Sequence, residues 1–546
     1  MRIPYAAAYR SMIWKPTAVC VDGEYHTSYS DEMEEAFRGV FPRIRDEEAS
    51  LLLDLLSRIF VYDAASRPSL EGIAAHPWFR FHHEEEKTHK GRESLCFDRE
   101  KKRRKRKGLF VADDTLGASP LPTLVSHHTF ALVLVRLNHR VSYADSSRLY
   151  KIGFGKVTMS TTKITPEQAP DLGVPLSRKT VRVRAIDTTT RMVCSADAFV
   201  EPVVKGHETL NFKTLCFLIE RDGPSGTERV LFDAGSRKDF WNGSPKTTTM
   251  IRGCVPAMEV EYGVEEILVA SGLELSKLKA VVWSHWHWDH IGDGSKFPAS
   301  TDIVVGPGFV ENFVPGWPIR PESPVLASDL EGHRVHEPEF PLTIGGFRAN
   351  DYFGDGSFYL LDVPGHAVGH ICGFARTTPD TFVFMGADCC HYAGMIRPSR
   401  YNPLPSVIPP EQLDAHHPKP CPCSVFTAHH PAASQGDFET RIQPFYRIST
   451  APGSAYSFAD AAQKTVKLLQ LFDANPNVFI CLAHDGALFD VLPLYNSDPN
   501  CDINDWKDKN YDQRVRWGFL REMPNSDHSP GRGWLVPPTA YEGKFV

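Results

Sequence analysis

The sequence predicts an α/β protein whose sheets are covered by helices, carried by residues ~179–546. Three observations predict it. From ~180 onward, short apolar runs rich in β-branched and aromatic residues are punctuated by turn residues. Helical periods fall between them, as in FADAAQKTVKLLQLF, whose apolar face would pack on a sheet. The apolar run KLKAVVWSH, finally, reads as a buried strand that runs straight into a cluster of histidines.

Bulk properties bound the rest. A chain of 546 residues exceeds one typical domain, so two or three units are expected. Hydrophobic residues at 42% and charged residues at 23% are ordinary for a globular protein with a large core. The net charge of −7 argues against nucleic acid as a main partner, because phosphate contacts need a basic surface. Twelve cysteines spread over this length are no disulfide framework; only Cys389-Cys390 and the Cys421/Cys423 pair lie close together, which reads as reduced thiols. The N-terminus has no continuous apolar core like that of a signal peptide, and Phe130 to Val135 is far too short to span a bilayer. The expectation is a cytoplasmic protein without a membrane partner.

The N-terminal region, 1–80, is expected to be helical in part. Leu51, Leu52, Leu55, Ile59 and Phe60 fall at helical spacing, and Arg67-Pro68 and His76-Pro77-Trp78-Phe79 follow. This stretch resembles the last helices of a protein kinase C-terminal lobe, although Asp63 precedes Ala64 where kinases have a proline. The Gly-rich loop, the phosphate-binding lysine and the catalytic aspartate motifs are absent from the chain, which excludes phosphoryl transfer. Residues 81–178 read as a solvated linker plus an unassigned segment. Its run of like charge, Lys101 to Lys107, is expected to stay disordered, and it also fits a nuclear-import signal.

The third region, 179–546, opens with VRVRAIDT, which alternates as a half-buried strand does. TLCFLIE and ERVLFDAG read as two strands joined by the turn from Asp222 to Gly226, and Val264–Ala270 as a short helix stopped by Gly272. Then comes the chemistry. VVWSHWHWDHIGD places His285, His287, Asp289 and His290 in one short loop. Alternate residues of an extended segment point the same way, so His285 and His287 suit one metal ion while Asp289 and His290 turn toward a second. Imidazole and carboxylate suit Zn²⁺, and also Mn²⁺ or Fe²⁺.

This motif, with LLDVPGHAVGH, TFVFMGADCC and NVFICLAHDG following in order, resembles the metallo-β-lactamase superfamily. The resemblance implies an αββα sandwich over roughly residues 180–500. It implies His285, His287 and His366 on one metal, Asp289, His290 and His484 on the other, and Asp388 shared. Two zinc ions so held would lower the pKa of a shared water toward neutrality, so that it attacks as hydroxide. Asp233 occupies a position where an aspartate often orients a ligand histidine; an ordinary turn carboxylate is the alternative.

Departures within the superfamily narrow the expectation. Flavodiiron proteins carry a glutamate where this chain has His287, and persulfide dioxygenases use only part of the ligand set filled here. Lactonases acting on acyl-homoserine lactones place a substrate-contacting tyrosine three residues after the bridging aspartate. Here that position is His391, with Tyr392 one residue later, so Asp289, His391 and Tyr392 are the candidates for direct catalytic roles. The run ADCCHYAGMIRPSRYNPLP resembles fungal metallo-hydrolases of this group. A dinuclear hydrolase of a small ester, lactone or related acyl compound is therefore expected. A thioesterase of the glyoxalase II type, or an inactive adaptor on the same fold, are the alternatives. The Pro-rich stretch ~396–454 holds His416, His417, His429, His430, Cys421 and Cys423, at spacings that fit no zinc-finger template; a loop-rich cap over the site is expected there.

Overall fold

The computed structural model describes residues 163–538 except Ser225, together with the strands Ala18–Val21 and Glu24–Thr27. The chain divides into two compact units, Met1–Asn138 and His139–Val546. In the first unit the two short strands pair antiparallel, Ala18 opposite Thr27. The kinase-like stretch and the basic run lie outside the described residues.

Among the described residues of the second unit, two large sheets carry the fold. The first has seven strands in the order Val335–His336, Asp302–Val304, Leu278–Val282, Gly226–Phe232, Thr209–Gly223, Arg182–Ser195 and Ala257–Val260. The second has six, in the order Leu342–Ile344, Phe347–Asp351, Phe358–Asp362, Ile371–Arg376, Phe382–Ala387 and Val478–Leu482. Most neighbours are antiparallel, but Leu278–Val282 lies parallel to both its partners, Val335–His336 parallel to Asp302–Val304, and Phe382–Ala387 parallel to Val478–Leu482.

Side-chain alternation explains why the strands read as continuous apolar runs. Phe217, Ile219, Val230, Phe232 and Val282 of the first sheet meet Leu360, Val383, Met385, Phe479 and Cys481 of the second in one buried core. Their neighbours Cys216, Leu218, Leu231 and Val281 point the other way and are covered by Ile267 and Leu268 of the helix Val264–Ala270, with Trp283 and Phe309. On the far face of the second sheet, Phe374 and Phe384 are covered by Val466, Leu469 and Phe472 of the helix Ala459–Ala474. Central strands such as Phe382–Ala387 and Val478–Leu482 are thus buried on both faces, and their period of two is masked because neither face is polar. This layering is the expected αββα sandwich.

Two details depart from the sequence expectation. The strand read in VRVRAIDT runs on to Ser195, because an irregularity between Asp187 and Arg191, with Thr189 at φ 57°, lets it bend and continue. The Pro-rich stretch is loop-rich as expected, with only short pieces such as Val407–Ile408 paired to Cys421–Pro422.

Candidate metal centre

Each side chain of the predicted ligand set stands at or just past the C-terminal end of a strand. His285 and His287 follow Leu278–Val282; Asp289 and His290 lie in the short helix Trp288–Ile291 that comes next. His366 follows Phe358–Asp362, Asp388 follows Phe382–Ala387, and His484 follows Val478–Leu482. Rigid strands therefore fix where each ligand atom starts. Gly365, at φ 140°, packs so close to the helix Ala459–Ala474 that a Cβ there would lie 2.4 Å from Ala462 backbone atoms. Only glycine lets the His366 loop sit this tightly.

The seven residues converge as two groups of four that share Asp388, and within each group the ligand atoms lie within 4.8 Å of one another. In the first, His285 Nε2, His287 Nδ1 and His366 Nε2 are mutually 2.8 to 3.1 Å apart. Asp388 Oδ2 lies 3.5 Å from His285 Nε2 and 3.3 Å from His366 Nε2. In the second, Asp388 Oδ1 lies 3.0 Å from both His290 Nε2 and His484 Nε2. Asp289 Oδ2 lies 3.5 and 3.4 Å from the same two nitrogens. All seven side chains are buried.

These spacings fit a metal better than hydrogen bonding. Three mutually close imidazole nitrogens cannot all be satisfied, because a triangle of single donors or acceptors always leaves one mismatched pair. Ligands ~2.0–2.1 Å from a tetrahedral cation lie ~3.3 Å apart, close to what is observed. His290 Nε2 and Asp388 Oδ1 are buried and have no hydrogen bond in the structure. Burial pushes the Asp388 carboxyl up, but the imidazoles of His290, His391 and His484 outweigh it and hold it well below the usual range. The donor set could hold a divalent cation.

Supporting contacts fix the rings. Asp233 Oδ2 accepts from His290 Nδ1–H at 2.8 Å, and Asp233 is itself held by Ser284 N–H at 2.7 Å and Ser284 Oγ–H at 2.9 Å. Of the two readings of Asp233, the geometry matches the orienting one. His484 Nδ1–H donates to the Lys213 carbonyl at 3.0 Å, and His484 stacks on Phe212 with ring centroids 4.6 Å apart. His370, absent from the sequence expectation, donates from Nδ1–H to the Val363 carbonyl, and its Nε2 accepts the Asp388 N–H at 3.2 Å. It holds the backbone at Asp388. The sequence signal was the second histidine of PGHAVGH, which no ligand pattern required.

The pair after Asp388 splits. His391 turns toward the centre, with Nε2 3.0 Å from Asp388 Oδ2 and Nδ1 2.7 Å from the Tyr456 hydroxyl. Tyr392, extended at φ −144°, turns the opposite way and donates its hydroxyl to the Phe519 carbonyl at 2.6 Å. Tyr456 was not anticipated; it lies just beyond the Pro-rich stretch, far from any ligand in sequence. Among the described residues, His416, His417, Cys421 and Cys423 form no such ligand group. The ten cysteines of residues 163–538 are all free thiols.

The profile of the Metallo-beta-lactamase superfamily matches residues 211–383. The chain is 40% identical over 378 residues to the metallo-hydrolase mfmC of Annulohypoxylon moriforme, an alignment covering 68% of this chain and 95% of that one. It is 40% identical over 368 residues to the gamma-lactamase FDB1 of Fusarium pseudograminearum, covering 66% and 86%. Among solved structures, a quorum-quenching N-acyl homoserine lactone lactonase aligns at 14% identity and a TM-score of 0.35, covering 59% of this chain and 98% of that one.

Proposed function

The chain belongs to the metallo-β-lactamase superfamily and is a metal-dependent hydrolase; from that premise we propose that it opens a small ester, lactone or related acyl compound at a centre for two divalent ions. A γ-lactam falls within that class, the activity for which the FDB1 relative is named. The observation that carries the reading is the sharing of Asp388, one oxygen toward each group of three partners. Bound there, two such ions would supply a water acidic enough to ionise near neutral pH and a positive field for the developing oxyanion.

The chain's own residues do the rest. His285, His287 and His366 would hold one ion and Asp289, His290 and His484 the other, with Asp388 fixing their separation. His391, which turns toward the centre, would meet the substrate. If Tyr456 O–H donates to its Nδ1, the other nitrogen carries the proton and points it toward Asp388 and the centre. That proton would be offered to the oxygen or nitrogen that leaves, or to the carbonyl oxygen as it gains charge. Buried walls exclude bulk water and strengthen each of these interactions.

The test is a panel of lactones, esters, thioesters, a γ-lactam and a β-lactam, assayed with the full chain after zinc loading and elemental analysis. About two equivalents of metal and turnover of at least one acyl class are expected. One equivalent or none after careful loading overturns the dinuclear reading. Thioesters turned over far faster than the rest would favour the thioesterase, and two metals without turnover on any substrate the adaptor.

A further inference from the structure

Beyond His391 and His484 the centre continues into a narrow crevice. Its apolar walls are Phe212, Tyr392 and Phe519, and its far end is built by the last described segment of the chain. That segment is tied down over the site. Asn211 donates from Nδ2 to the Gly533 carbonyl at 3.1 Å and accepts from Leu535 N–H at 2.8 Å. Arg532 grips Asp414 through two contacts of 2.6 and 2.7 Å.

Glu522 stands in this wall. Its Oε2 accepts a long 3.4 Å hydrogen bond from Asn211 N–H, and its Oε1 lies beside Gly486, where no side chain fills the space. The two cations of the crevice are committed elsewhere: Arg532 to Asp414, and Arg521 to Asp490 at 2.7 Å and the Gly518 carbonyl at 3.0 Å. No cation is therefore paired with the Glu522 carboxyl among the described residues. Burial pushes its pKa up to about 7; Asn211 N–H, Arg532 and Arg521 oppose the rise and Asp485 adds to it. A half-buried carboxyl beside the aromatic wall of this crevice, with one weak partner, keeps acceptor capacity that a ligand donor could take up.

Resting on the hydrolase reading above, we infer that this crevice receives the arm of the substrate beyond its scissile bond, and that Glu522 selects arms bearing an O–H or N–H donor on an apolar body. The arm would lie along Phe212 and Phe519 and reach the carboxyl oxygen at the far end. Its opposite end would sit at His391 and the metal centre. Glu522 then discriminates among substrates without touching the reacting atoms.

Two lactones that differ only in the end of the arm, hydroxyl against methyl, test the inference. Their kcat/KM ratio is measured in the native chain, in Glu522→Leu and in Glu522→Gln, with metal content determined for each. Direct binding of the two ring-opened products is measured by calorimetry alongside. The native chain should favour the hydroxyl arm by about 10-fold, the worth of one hydrogen bond. Glu522→Leu should collapse that ratio, and Glu522→Gln, which keeps an acceptor, should retain most of it. A ratio unchanged in Glu522→Leu overturns the inference, as does a native preference for the methyl arm. Should neither lactone turn over, the calorimetric ratio decides the subsite by itself, and the wider substrate panel decides the hydrolase reading.

Discussion

The two halves of the centre are built differently, although they share Asp388. Around His285, His287 and His366, among the described residues, the hydrogen bond that supports a ring from outside the group is that of Ser284 Oγ, 3.0 Å from His285 Nδ1; His366 Nδ1 is buried without a hydrogen-bond partner among them. Around Asp289, His290 and His484, both imidazoles are anchored at Nδ1, one by the Asp233 carboxylate and one by the Lys213 carbonyl. Charge differs in the same direction. The first half has Asp388 alone, whereas the second has Asp289 as well, with Asp233 behind it. A divalent ion gains from anionic ligands and from rings already fixed in place. The second half should therefore bind its metal more tightly, and the first should be the one that exchanges and opens to substrate.

The largest expected effect is loss of the shared ligand. Asp388→Ala should abolish turnover and leave the chain nearly free of metal, because it removes a ligand from both halves at once. Retention of one full equivalent would show that the halves are independent. Next comes the residue beside the first half. His391→Ala should lower kcat by ~10²–10³-fold, the usual cost of losing one donor to the transition state. Tyr392→Phe, whose hydroxyl bonds Phe519, should leave kcat near the native value and cost about 1 kcal/mol of stability. Reversed outcomes for these two variants, measured on one lactone, would give the electrophilic role to Tyr392.

Much of this was legible in the sequence, for a physical reason. Metal ligands must sit at strand ends with fixed spacing, so a pattern such as HWHWDH survives in the sequence as a local motif. The two sheets were legible as well, since strands buried on both faces leave long apolar runs such as FVFMGA. What could not be read is whatever depends on distant contacts. Tyr456 meets His391 across 65 residues and Glu522 meets Asn211 across 311, and neither has a local signature. The split between His391 and Tyr392 lay between: alternation on an extended segment separates the two side chains, but only the fold shows which one faces the metals.

A variant that strips the better-built half of its advantage sharpens the comparison. Asp233→Asn keeps the shape but replaces the anion behind His290 with a neutral amide. Metal affinity of the second half should fall ~10–100-fold, toward that of the first, as for other groups that orient a ligand ring. In the native chain, stepwise chelation should remove two equivalents at separate chelator concentrations; in Asp233→Asn the two steps should merge. Two steps unchanged by the substitution would mean that Asp233 contributes structure alone.

The smallest effect is a proton count, and it separates the halves without any mutation. In the metal-free chain, burial lowers the pKa of His290, but the carboxylates of Asp388, Asp289 and Asp233 overcome it and raise it well above 6.5. His484 is also raised, with burial opposed by Asp388 and Asp289. His285 and His287 are driven well below 6.5 by burial and by the neighbouring imidazoles. At pH 7 the second half therefore carries a proton that a metal must displace, and the first half does not. Calorimetry in two buffers of different ionisation enthalpy should show about one proton or more released with the tight equivalent and almost none with the weak one. The sign carries over to stability. A histidine raised in the folded state stabilises it fully below the unfolded pKa of ~6.5, and that contribution fades as pH rises through the folded value. The metal-free chain should thus lose stability from near neutral pH upward, a loss that metal binding removes because the ion takes the place of the proton. Equal proton release for both equivalents, or a metal-free chain that gains stability over that range, would mean the two halves are electrostatically alike.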